Sequence, residues 1–268
     1  MSLPSTEVEA EIRLNIEDGV ATILLNRPDK LNAFNDPMLT LWEAAIREVA
    51  ADDTVRAVIL TGAGRAFCSG GDVDKMGSAE MTPLQVKERL TKGIQRITHA
   101  MAALDKPAIA AINGVAAGAG LDIALMCDLR FMALGAKVAE TYFKLGLVPG
   151  AGGAHYLPRI VGPAKALEMF WSADYVGAEE CLRIGLVNRI YPDDELMEQA
   201  HAFARRIAAG PPLSARLIKR AVYQGLDTDL STSLDLVSSH MTIVRSSRDH
   251  VEAVAALREK RAPRFEGR

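Results

Sequence analysis

The chain has 268 residues, 49% of them apolar and 24% charged, with a formal net charge of −3. That length and balance allow a full-sized globular core and leave no basic footprint, which argues against nucleic acid as a partner. No uninterrupted apolar stretch approaches the roughly 20 residues that span a bilayer, and the acidic start (Glu7, Glu9, Glu11) is unlike a signal or transit peptide. A cytoplasmic protein with no membrane partner is expected.

Cys68, Cys127 and Cys181 are scattered, with no CxxC spacing and no histidine cluster beside them, so reduced thiols and no structural metal are expected. The histidines (His99, His155, His201, His240 and His250) are isolated from one another in sequence, and none is chosen as a catalyst.

Two apolar runs, Ile12 to Ile16 and Val20 to Leu25, flank Asp18-Gly19, the dipeptide of a tight hairpin. Asn35-Asp36-Pro37 starts a helix on which Leu39, Trp42, Ile46 and Val49 recur at helical spacing. A buried strand follows from Arg56 to Thr61. Thr82-Pro83-Leu84-Gln85 reads as a capping box opening a helix to about Leu104, which Lys106-Pro107 ends. Ala108 to Ile112 is a short strand, Gly118 to about Met126 a helix, and Leu129 to Leu134 another strand. This strand–turn–helix rhythm predicts an α/β domain with parallel layers over residues 1–209. From Gly210 the composition changes: Pro211-Pro212 opens a helix through Ala221, and helical periodicity continues to about Lys260. Residues 210–268 are therefore expected to be a helical region, with apolar positions that would suit packing against a neighbouring subunit.

Two strands leave through glycine-rich turns, Thr61 to Asp72 and Asn113 to Asp122. Glycine reaches positive φ and lets a ligand approach the backbone, and the start of the second helix adds unpaired N–H groups. A single such turn would merely reverse the chain; two of them suggest an anion-binding backbone. Dinucleotide binding is disfavoured, because Phe67 and Ile123 stand where a Rossmann fingerprint needs its third glycine or alanine. A serine-hydrolase elbow fails because Phe67, not glycine, lies two positions before Ser69.

These segments resemble the enoyl-CoA hydratase/isomerase (crotonase) family along nearly the whole chain. The resemblance is carried by Asn26-Arg27-Pro28 with Leu31-Asn32-Ala33, Gly64 to Asp72, Lys106 to Gly120, Cys127-Asp128, Leu145 to Gly153, Gly185 to Asn188 and the ending Glu259 to Phe265. It implies a crotonase-like spiral of ββα repeats with a C-terminal helical region that builds homotrimers, often paired into dimers of trimers. It also implies an acyl-CoA substrate, whose CoA is part of the substrate and not a separate cofactor. The matching oxyanion-hole donors are the backbone N–H groups of Cys68 and Ala119. Lys30, Ala33, Ala66, Ser69, Gly70 and Gly71 fall on substrate-binding positions. Lys260 and Arg261 could also meet CoA phosphates, though exposed basic residues are usually solvated.

Family hydratases share a water between two glutamates. Here the first position is Asp122, a carboxylate one methylene shorter that can still serve as a general base, although a helix N-terminus would favour an acid there in any case. The second position is Tyr142, a weak base near neutral pH but a capable hydrogen-bond donor, or simply a pocket-lining ring. Glu140, two residues earlier, would share a face with Tyr142 if the segment is extended, and could substitute. A third acid position of the family holds Gly150. Asp72 is read as the cap of the next helix. Hydration, isomerisation and other enolate reactions all remain open, as does an acyl-CoA binding protein with weak or no hydratase activity.

Overall fold

The structure, a computed structural model, describes residues 10–72 and 81–268. Ile12–Glu17 (β1) and Val20–Leu25 (β2) pair antiparallel with Glu17 opposite Val20. Asp18 and Gly19 between them take φ of 51° and 75°, the left-handed pair that a two-residue hairpin needs. Asn35 accepts from the Met38 N–H and opens Asp36–Ala51 (α1), which buries Met38, Leu39, Trp42, Ile46 and Val49 along one stripe. Ala57–Gly62 (β3) is buried throughout, as a strand covered on both faces must be, and Ala66–Cys68 (β4) follows.

The capping box forms at Thr82 and Gln85, but the single helix expected to Leu104 is two, Pro83–Lys92 (α2) and Ile94–Ala103 (α3). The break is at Gly93, whose ψ of −120° is not helical and where a Cβ would stand 2.3 Å from the Arg89 carbonyl oxygen. Glycine is what makes the break possible. Buried Lys106 then ties the turn before the next strand to the end of α1, its Nζ donating to the Val49 and Asp52 carbonyls at 2.6 and 2.5 Å.

Ala108–Ile112 (β5), Val115–Ala117 (β6), Ala119–Leu125 (α4), Leu129–Ala133 (β7) and Lys137–Ala139 (β8) come next. After a 3-10 turn at Thr141–Leu145 the chain forms Gly153–Val161 (α5), Pro163–Ser172 (α6), Val176–Gly177 (β9), Ala178–Arg183 (α7), Arg189–Tyr191 (β10) and Leu196–Ala208 (α8). Pro212–Gly225 (α9), Leu230–Arg245 (α10) and Arg248–Glu259 (α11) complete it.

The larger sheet runs β1-β2-β3-β5-β7-β10 and is parallel from β2 onward; the smaller runs β4-β6-β8-β9. Each of the pairs β3/β4, β5/β6 and β7/β8 gives one strand to each sheet before a helix intervenes. That is the ββα spiral expected from the resemblance. The short second sheet was not legible as strands, since three-residue runs such as Ala66–Cys68 carry no period. Helix α8 covers the larger sheet, burying Leu196, Ala200, Ala204 and Ala208 at a spacing of one turn. No helix among the described residues is long and apolar enough to cross a membrane.

Helix α4 and strand β4 meet backbone on backbone. A Cβ at Gly120 would lie 1.9 Å from the Cys68 carbonyl oxygen, whereas nothing lies within 4 Å of one at Gly177. Gly120→Ala should therefore cost about 3 kcal/mol, as severe overpacking does, and Gly177→Ala should stay within about 0.5 kcal/mol of the parent. Urea denaturation of both variants checks this, and equal stabilities would show that the contact is slack.

Candidate active site

The site is assembled where the two glycine turns face each other. Segment 30–34 is stitched to segment 69–72: Ser69 N–H donates to the Leu31 carbonyl at 3.0 Å, Phe34 N–H to that of Gly70 at 2.9 Å, and Asp72 N–H to that of Phe34 at 3.1 Å. Asn32 pins this loop from beneath. Fully buried, it donates from Nδ2 to the Ala63 and Ala66 carbonyls at 2.9 and 2.8 Å and accepts from the Arg27 N–H at 2.9 Å. Arg27 in turn bridges Glu11 and Asp72 at 3.0 and 3.2 Å and donates to the Ala33 carbonyl.

Lys30, Ala33, Ser69, Gly70 and Gly71 are thus brought into one surface, with Lys30 exposed and Ala33 buried. Ala66 stands apart: it is buried in β4, with its carbonyl taken by Asn32 and Asn113. The residues that Asp72 was expected to cap lie outside the described residues; its side chain forms an ion pair with Arg27.

Cys68 ends β4 and Ala119 begins α4. The first N–H groups of a helix have no partner within it, so Ala119 offers a donor on the side where Gly70 and Gly120 remove any Cβ. A Cβ at Gly70 would sit 3.5 Å from the Ala119 nitrogen and 3.0 Å from the Ala117 carbonyl oxygen. Gly118, at φ 51°, turns the chain into the helix. The Cys68 thiol itself is occupied with the Asn32 carbonyl at 3.2 Å, and burial pushes its pKa up to about 12, so it is inert as a nucleophile. Cys127 and Cys181 are likewise buried free thiols pushed to about 12 by desolvation.

One turn into α4, Asp122 is fully buried. Its Oδ2 accepts from the Tyr142 hydroxyl at 2.6 Å and from the Ala151 N–H at 3.2 Å. Its Oδ1 packs on Gly153, where a Cβ would lie 2.0 Å away. Sequence reasoning missed both Ala151 and Gly153, although the run Pro149-Gly-Ala-Gly-Gly153 was the signal of backbone placed close to another group. Desolvation raises the Asp122 pKa, with the Tyr142 hydrogen bond working against it.

Glu140 is also fully buried, and the condition on which it would share a strand face with Tyr142 is not met: Thr141–Leu145 is a 3-10 turn that Glu140 precedes. The turn, not strand alternation, sends both side chains toward Asp122. Neither Glu140 carboxyl oxygen has a hydrogen-bond donor, and neither does Asp122 Oδ1. Burial first, then the neighbouring Asp122, pushes the Glu140 pKa up to about 10. Tyr142, desolvated and beside the same carboxylate, is raised as well, so its phenol donates and does not ionise. Among the described residues no cluster of three or more His, Cys, Asp or Glu side chains could hold a metal ion.

The profile of the family described as enoyl-CoA hydratase/isomerase matches residues 15–268. The chain is 38% identical over 259 residues to 1,2-epoxyphenylacetyl-CoA isomerase of Escherichia coli, covering 95% of this chain and 97% of that one. It is 34% identical over 255 residues to crotonyl-CoA hydratase of Syntrophomonas wolfei, at 95% and 97% coverage. Among solved structures, the enoyl-CoA hydratase of Bacillus anthracis superposes with a TM-score of 0.92 at 33% identity, covering 96% of this chain and all of that one.

A carboxyl that holds its proton more tightly in the folded than in the unfolded chain contributes stability below its unfolded pKa, and that stability is lost as pH rises through the folded value. For Glu140 this window runs from the ordinary 4.5 to about 10. The stability of Glu140→Gln relative to the parent, measured in urea, should therefore increase steadily from pH 5 to pH 9. A difference independent of pH would show that Glu140 titrates normally.

Proposed function

Because the chain belongs to the enoyl-CoA hydratase/isomerase family, we propose that it forms an enolate from an unsaturated acyl-CoA and moves the double bond by a 1,3-proton transfer. The Cys68 and Ala119 N–H groups hold the thioester oxygen as charge develops on it, each worth roughly 3–4 kcal/mol in such holes. Asp122 is the base. The observation that carries this reading is the 2.6 Å bond from the Tyr142 hydroxyl to Asp122 Oδ2. It fills the place where a hydratase would hold water against a second carboxylate, and it leaves a proton-transfer group without a water-holding partner.

Tyr142 keeps some exposure while Asp122 has none, and its ring edge lies 3.9 Å from where a Cβ of Gly118 would stand, next to Ala119. In the proposed step the Cα–H bond breaks and its electron pair moves to the thioester oxygen. The proton passes to Tyr142 Oη as the phenolic proton moves to Asp122. Reversal at Cγ returns the proton, the carbonyl and both side chains to their starting states. The full burial of Asp122 also favours a second reading, an acyl-CoA binding protein without turnover.

Incubation with 3-enoyl and 2-enoyl thioesters in deuterated water, followed by mass spectrometry, separates these. Double-bond migration without added water is expected, with Asp122→Asn slower by about 10³-fold and Tyr142→Phe by about 10²-fold and acyl-CoA binding retained in both. A mass gain of one water would establish hydration instead. Absence of any turnover in the parent would leave the binding reading.

We further propose that the chain assembles as a homotrimer or a dimer of trimers through its C-terminal helical region, residues 210–268. The support is the apolar outer face of α9–α11, where Leu230 and Leu257 are 75% and 80% exposed alongside Ile218, Val222, Leu226 and Val251. Sedimentation at micromolar concentration should give three or six times the 28.9 kDa chain mass; a single monomeric species would overturn it.

A further inference from the structure

Glu140 is a buried acid that the proposed enolate chemistry does not use. Desolvating an ionised carboxylate costs several kcal/mol unless donors surround it. Both carboxyl oxygens of Glu140 lack one, and Oδ1 of Asp122 lacks a well-aligned one, although the Gly153 backbone lies beside it and favours the Asp122 carboxylate. The two groups are within hydrogen-bonding reach of each other. Two carboxylates in that position repel at low dielectric, whereas one proton between them supplies the missing donor and removes one charge.

The titratable groups that reach the pair are few. Tyr142 already spends its hydroxyl on Asp122 Oδ2, and burial together with the neighbouring Asp122 acts on Glu140. Of the basic residues nearest along the chain, Lys137 is exposed at the start of β8 and Lys144 turns away to the Ala173 carbonyl at 2.6 Å. The asymmetry between the two carboxyls is set by their backbone surroundings. Asp122 Oδ2 receives the Ala151 N–H and the Tyr142 hydroxyl, both of which favour the ionised form, while Glu140 receives neither.

We propose that Glu140 and Asp122 form a carboxylic acid–carboxylate pair that holds one proton, with the Glu140 hydroxyl donating to Asp122 Oδ1. Glu140 is then a positioning residue: it fixes the Asp122 carboxylate in register with Tyr142 and keeps the charge of the buried site at one. In its catalytic half the inference rests on the enolate reading above. During turnover the pair goes from one proton to two when Asp122 receives the phenolic proton of Tyr142, and back to one when it returns it. The Glu140 proton is never released.

The test is infrared spectroscopy of the ligand-free protein from pH 5 to pH 11, with carboxyl-¹³C glutamate or aspartate incorporated in separate preparations. A protonated-carboxyl C=O band that persists above pH 7 and shifts with labelled glutamate is expected, and it should be lost in Glu140→Gln. No such band at pH 7, or one that shifts only with labelled aspartate, would overturn the pair as assigned. The isotope shift is read in the parent protein, so it stands even if the variant folds poorly. For the catalytic half, the pH profile of kcat/KM should fall on the alkaline side as the shared proton is lost, and Glu140→Gln, which cannot lose it, should abolish that limb. An unchanged alkaline limb in the variant would reduce Glu140 to a structural role. A glutamate band in a protein without turnover would sustain the pair and sink the enolate reading, so the two fail separately.

Discussion

The whole arrangement depends on how closely two stretches of main chain approach. Beyond the Gly120 contact with Cys68, a Cβ at Gly62 would stand 2.3 Å from the Ala66 and Phe67 carbonyl oxygens, and one at Gly114 would stand 2.2 Å from that of Arg65. Gly62 lets β3 and β4 lie against each other within the first turn of the spiral, and Gly114 and Gly120 let the second turn lie directly on the first with no side chain between them. That contact joins the two sheets and sets the spacing of the Cys68 and Ala119 amides. It also fixes where Asp122 emerges one turn later. At the far side the same device recurs, because Gly153 leaves room for Asp122 Oδ1 where any side chain would collide.

Much of this could be read in advance, for identifiable reasons. The hairpin at Asp18-Gly19, the stripe of α1, the capping box at Thr82 and the strand Ala108–Ile112 each announce themselves through local chemistry: turn residues, helical period, a reciprocal cap, an apolar run. The division of α2 from α3 escaped because one glycine inside a helical pattern is usually tolerated. Its consequence depends on a ψ angle that sequence does not display. The second sheet escaped because its strands are too short to show a period.

Asp122 and Tyr142 are hydrogen-bonded, as neighbours should be at the two positions that the family resemblance assigns to its acid pair. The burial of both Asp122 and Glu140, and the missing donors around Glu140, could not be read in advance, since they depend on the 3-10 turn at Thr141–Leu145. Residues 140, 142 and 153 lie near one another in sequence, yet whether they converge is decided by the turn between them. Asn32 is similar: its place in Leu31-Asn-Ala33 marks it, but its partners 31 and 34 positions away do not follow from the motif.

Leu31 and Asn32 take φ of 50° and 56°, a left-handed pair that costs about 1–2 kcal/mol at each residue without a glycine to relieve it. What offsets that cost are the Asn32 bonds to Ala63 and Ala66, and those carbonyls come into position only once β3 and β4 have been laid down. The loop that carries Lys30 and Ala33 therefore cannot settle as a local unit of the nascent chain. The conformation of this loop is thus set by contacts remote in sequence, and a chain lacking β3 and β4 has no means of holding it.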